Sequence, residues 1–131
     1  RDDVESRGLG DVYKRQKQID LESIIVNMLT NSFEALKGTG GKRVIKISTI
    51  DFGEEYQIVF EDSGPGVPDN LKEWIFIPLN TTKEEDGVGL GLTIVKDIVE
   101  SYNGKIEVGK SNAIGGAQFT VIFPVDEVKD E

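Results

Sequence analysis

Four groups of residues in this chain have types and spacing that suit them to chemistry. Asn27 and Asn31 lie four apart and Glu34 three further on, so all three share one stripe if the segment is helical. Two amides beside a core edge can offer carbonyl oxygens to a hard cation. One such Asn would ordinarily be a surface or capping residue; two, ahead of the motifs that follow, favour the cation. Glu34 is expected to be solvated. Asp62-Ser63-Gly64-Pro65-Gly66 follows a strand-like run ending at Glu61. Gly64 and Gly66 allow tight backbone geometry and close approach of a ligand, and the Asp62 carboxylate can accept a hydrogen bond from an exocyclic amine. The alternative is an Asx turn in which Asp62 only closes its own loop. In Thr81-Thr82-Lys83, two hydroxyl donors precede a point charge suited to a terminal phosphate. Glu84-Glu85-Asp86 beside it fits an ordinary solvated lysine equally well. Gly87-Val88-Gly89-Leu90-Gly91-Leu92 runs directly into a helical period. Glycines ahead of a helix N-terminus leave N–H groups and the positive dipole end facing an anion.

The bulk composition narrows the ligand. The 131 residues carry a net charge of −9, which disfavours both non-specific nucleic-acid binding and the approach of a bare polyphosphate. A phosphate-bearing ligand therefore needs local positive potential, from Lys83, the glycine run or a divalent cation. With no cysteine there is no disulfide and no thiolate metal site. No apolar run approaches the roughly 20 residues of a membrane helix, and no secretory signal is visible, so direct membrane contact is not expected. The chain begins at Arg1, and its one methionine is Met28; it reads as a fragment or excised domain, monomeric on its own.

These groups need a scaffold. Residues 1–17 mix both charge signs around Gly8-Leu9-Gly10 and read as a linker or non-native segment, with room for a short edge strand near Val12-Tyr13. From an N-cap at Asp20, Leu21, Ile24, Ile25, Met28, Leu29, Ser32, Ala35 and Leu36 repeat as one buried helix face. The Asn27 stripe lies ~115° from the centre of that face at ~100° per residue, so it flanks the core. Gly38-Thr39-Gly40-Gly41 ends the helix. Val44 to Ile50 and Tyr56 to Glu61 read as a hairpin. A short helix over 69–76, an irregular loop over 77–88, a helix from Leu90 to Tyr102, and strands at Lys105–Val108 and Gln118–Phe123 follow. Residues 125–131 form an acidic tail. Hairpin-linked strands and grouped helices predict an α+β, two-layer sandwich: a mixed, largely antiparallel sheet covered by about three helices. No strand–GxxxxGK[ST]–helix element occurs.

In this order, the four motifs resemble the ATP-binding catalytic domain of sensor histidine kinases, within the superfamily that includes DNA gyrase, mismatch-repair ATPases and heat-shock chaperones. The resemblance covers residues ~18–124. It implies ATP and Mg²⁺ as ligands. It places Asn31 on the metal and Asn27 at the phosphate end. It sets Asp62, with Gly64 and Gly66, on the adenine amino group, and Thr82, Lys83, Gly87, Gly89, Leu90 and Gly91 on the phosphates. Asn27 and Lys83 are the implied catalytic residues. Gyrase-type hydrolases carry a glutamate base where Asn27 stands; an amide takes no proton from water at neutral pH, which favours phosphoryl transfer over hydrolysis. The chain has no histidine, so the acceptor would sit on a separate dimerisation domain of the parent, with a response regulator downstream; the domain itself is expected to be cytoplasmic, whether or not its parent is membrane-anchored. Leu79, Asn80, Val88, Ala117 and Tyr102-Asn103 depart from the family pattern, and Thr120 is a secondary candidate for the base site. The competing readings are an anti-sigma-factor type of serine kinase with the same fold, and a nucleotide-dependent interaction module without transfer activity.

Overall fold

The computed structural model describes residues 2–77 and 91–125. Helix α1 runs Asp2–Leu36, strands β1 and β2 run Ile45–Asp51 and Glu55–Asp62, and two 3-10 turns span Asp69–Leu71 and Trp74–Phe76. Helix α2 runs Gly91–Ser101, and strands β3 and β4 run Lys105–Lys110 and Ala117–Pro124. The sheet order is β1-β2-β4-β3, and each neighbouring pair is antiparallel. The expected two-layer α+β sandwich is what forms, with an antiparallel rather than mixed sheet among the described strands.

Strand alternation decides which residues meet the helices. Ile58 and Phe60 of β2 and Ala117, Phe119 and Val121 of β4 pack in one buried cluster with Ile24 and Met28 of α1 and Val95 and Val99 of α2. The opposite face carries Val59 and Glu61, paired across to Thr120 and Gln118.

Helix α1 starts earlier than the sequence suggests. Residues 2–17 are helical, with no strand near Val12-Tyr13 and no cap at Asp20, which instead sits mid-helix and accepts a hydrogen bond from Gln16 Nε2 at 3.0 Å. The physical reason is propagation: once Ile24 and Met28 dock, each added residue gains a backbone bond, and a glycine opposes it by only about 1 kcal/mol. At the other end, Gly38 takes a positive φ of 80° and Thr39 N donates to Leu36 O at 3.2 Å, closing the helix as expected. The predicted helix over 69–76 is two separate 3-10 turns. The acidic tail lies outside the described residues beyond Val125.

Candidate functional site

Asp62 closes β2 on the helix-facing side of the sheet and is 1% exposed. Its Oδ1 accepts from Gly64 N at 2.9 Å and from Ala117 N at 3.3 Å. The first bond is an Asx turn, so that reading of the motif is correct as far as it goes. It engages only one oxygen. Among the described residues both bonds fall on Oδ1, which leaves Oδ2 as the acceptor for a donor from outside. The loop geometry is tight: Gly66 has φ 82°, and a Cβ on Gly64 would sit 3.1 Å from Ala35 O at the end of α1. Gly116 is flush against the same spot, where a Cβ would lie 2.6 Å from Asp62 Oδ1 and 2.7 Å from Gly64 N.

Asn27 and Gly91 meet although they come from different helices. Asn27 Nδ2 donates to Ser23 O at 2.7 Å and to Ser23 Oγ at 3.3 Å. A backbone carbonyl can pair only with the NH₂ end of the amide, so the carbonyl end is the one turned outward. That oxygen lies 3.3 Å from where a Cβ on Gly91 would be, at the first turn of α2. Asn31 follows one turn on and is half-buried. Helix α2 is held in place by Thr93 Oγ1, which donates to Phe76 O at 3.0 Å.

The sequence-derived residues therefore divide. Asn27, Gly91, Asn31, Asp62, Gly64 and Gly66 lie in the described structure, and it places Asn27 against Gly91 and Gly64 against Asp62. Thr82, Lys83, Gly87, Gly89 and Leu90, with Leu79, Asn80 and Val88, lie outside the described residues. Thr120 does not join: it pairs with Val59 and Glu107 on the face away from Asp62. Glu34 is not simply solvated, being partly buried and 3.2 Å from Lys37 Nζ. Sequence reasoning missed the contribution of Ala117, which is a backbone N–H that no side-chain pattern records. It also missed the buried Glu61 and Ser111, where a polar residue beside a β-strand end is the sole signal. Asn103, one of the departures in sequence, takes φ 63°, the left-handed conformation that glycine favours.

A model of the family described as "Histidine kinase-, DNA gyrase B-, and HSP90-like ATPase" matches residues 16–127. The sensor protein CitS of Halalkalibacterium halodurans is 36% identical over 129 residues, which is 98% of this chain and 24% of CitS. The chain thus spans about a quarter of that relative. Among solved structures, the catalytic domain of the histidine kinase ThkA superposes with a TM-score of 0.68 at 34% identity, covering 81% of this chain and 67% of that one. ThkA in complex with the response regulator protein TrrA gives a TM-score of 0.63 at 31% identity, covering 79% of this chain and 28% of that one.

Proposed function

This chain belongs to the histidine kinase-, DNA gyrase B- and HSP90-like ATPase family, and from that membership we propose that it binds Mg²⁺-ATP and donates the γ-phosphoryl group to a histidine on a separate dimerisation domain of its parent protein. The observation that carries the reading is the state of Asp62. It is buried, its Oδ1 is engaged by two backbone N–H groups, and its Oδ2 remains to accept the adenine amino group. A purine without that donor would leave the carboxylate unpaired, a difference of about 1–3 kcal/mol.

The phosphate end falls to the other cluster. Asn31 and the outward carbonyl of Asn27 are hard oxygen donors. Among the described residues no group of three or more His, Cys, Asp or Glu could hold a metal ion. Such a sparse donor set suits Mg²⁺, which keeps waters and takes phosphate oxygens as ligands; bound there, it neutralises phosphate charge. Gly91 at the first turn of α2, with Gly87, Gly89, Leu90, Thr82 and Lys83, completes the phosphate site in this reading. With an amide at position 27 no side chain there takes a proton from water, so the chemistry is positioning for transfer. The acceptor is not on this chain, which has no histidine. A response regulator downstream follows by analogy with ThkA and TrrA. No described helix is long and apolar enough to cross a membrane; the need for ATP places the domain in the cytoplasm.

Calorimetric titration with ADP and a non-hydrolysable ATP analogue, with and without Mg²⁺, tests the site. Micromolar adenine-specific binding that Asp62→Asn abolishes and Asn31→Ala makes insensitive to Mg²⁺ is expected. A folded wild-type domain that binds neither nucleotide would reduce the likeness to one of fold.

A further inference from the structure

On the face of the sheet away from the helices, Glu61 and Ser111 form a buried pair. Glu61 is 7% exposed and Ser111 is 0% exposed. Ser111 Oγ donates to Glu61 Oε2 at 2.8 Å. Ser111 Oγ also accepts from Ile114 N at 3.1 Å. Its backbone N donates to Gly116 O at 2.7 Å, and its carbonyl accepts from Gly115 N at 2.8 Å. Every polar group of this one residue is spent on the β3–β4 connection or on β2.

The consequence reaches Asp62 by two routes. Glu61 precedes Asp62 in β2, so its side chain ties that strand end to the start of the connection. At the far end of the same connection, Gly116 lies flush on Asp62 and Ala117 N donates to Asp62 Oδ1 at 3.3 Å. The connection therefore bridges two adjacent β2 residues on opposite faces of the sheet. If it drifts, the Ala117 bond fails first, being the longer of the two on Oδ1. The carboxylate is then free to turn about the Gly64 bond.

We infer that Glu61 and Ser111 are positioning residues for adenine selection: they hold the β3–β4 connection so that Ala117 occupies Asp62 Oδ1 and leaves Oδ2 aimed at the base. Neither residue contacts the nucleotide. This rests on the base-reading role proposed for Asp62.

The test is calorimetric titration of ADP and GDP against wild type, Ser111→Ala, Glu61→Ala, Glu61→Gln and Asp62→Asn, with amide hydrogen exchange at Ala117 on the same samples. Ser111→Ala and Glu61→Ala should each weaken ADP about tenfold and leave GDP unchanged, so the ADP/GDP ratio collapses. Glu61→Gln keeps an acceptor for Ser111 Oγ and should restore the ratio to within about threefold. Ala117 should exchange faster in both alanine variants while Phe119 and Val121 keep their protection. A wild-type ratio and wild-type Ala117 protection in the alanine variants, beside an Asp62→Asn that has lost ADP, would overturn the positioning role alone. An Asp62→Asn that binds ADP normally would overturn it together with the base-reading role. Should an alanine variant fail to fold, the Glu61→Gln ratio and its Ala117 exchange decide: a ratio lost with protection intact contradicts the inference.

Discussion

Gly116 has no room for a side chain because Asp62 occupies the space: a Cβ there would collide with the Asp62 carbonyl and lie 2.6 Å from Oδ1. Gly116→Ala should destabilise the domain by about 1–3 kcal/mol and abolish adenine-selective binding in the molecules that fold. Gly104 is the matching control, since a Cβ would collide with Ile122 O and lie 3.0 Å from Val99 Cγ1, far from the base site. Gly104→Ala should cost a similar amount in urea unfolding yet leave the ADP affinity of the folded protein unchanged.

Gly91→Ala asks a different question. The new methyl would lie 3.3 Å from Asn27 Oδ1, tight enough to shift the amide without disturbing the core. Stability should change by less than about 1 kcal/mol, as alanine is the better helix former. ADP affinity in EDTA should hold while the gain on adding Mg²⁺ shrinks, which paired titrations measure.

Tyr102 links stability to alkaline pH. Its hydroxyl donates to Asp20 Oδ2 at 2.5 Å, and its ring meets Phe123 edge-on with centroids 6.1 Å apart. Burial first, then the hydrogen bond to Asp20 and the Asp20 charge, push the phenol up to about 12. The protonated form is favoured in the folded state, so the stabilisation is complete below the ordinary tyrosine pKa of about 10 and is lost as pH rises through about 12. Urea midpoints should fall across that window in wild type. In Tyr102→Phe the unfolding free energy should be lower by about 1–2 kcal/mol at neutral pH, with a shallower alkaline decline of the midpoint.

Asn103 holds φ 63° where α2 hands over to β3. Asn103→Gly should be neutral or slightly stabilising, and Asn103→Val should cost about 1–2 kcal/mol, read from thermal unfolding.

The contrast between these residues shows what a sequence carries. The β-branched and aromatic content of Val44 to Ile50 and Tyr56 to Glu61 made the hairpin legible, and the Asp62 to Gly66 loop follows the end of β2 as read. Thr120 failed as a candidate because parity, not proximity in sequence, decides the face of a strand. Asn27 against Gly91, and Glu61 with Ser111, were not legible. Each partner is unremarkable alone, and pairing depends on how separate elements dock. The length of α1 was hidden for another reason: residues 14–19 all stay exposed, so no buried periodicity announces that stretch as helix.

The bond between Asp62 and Ala117 spans 55 residues of chain. Neither the β1–β2 hairpin nor the β3–β4 hairpin contains the proposed base site; it comes into being only when β2 and β4 pair at the centre of the sheet. That pairing closes the largest loop in the sheet, so it carries the highest loop-closure entropy of the three strand pairings. A nucleotide bound as proposed would stabilise the joined state and not either half. Ligand occupancy would then set how long the domain survives before it opens, as well as whether it is ready to act.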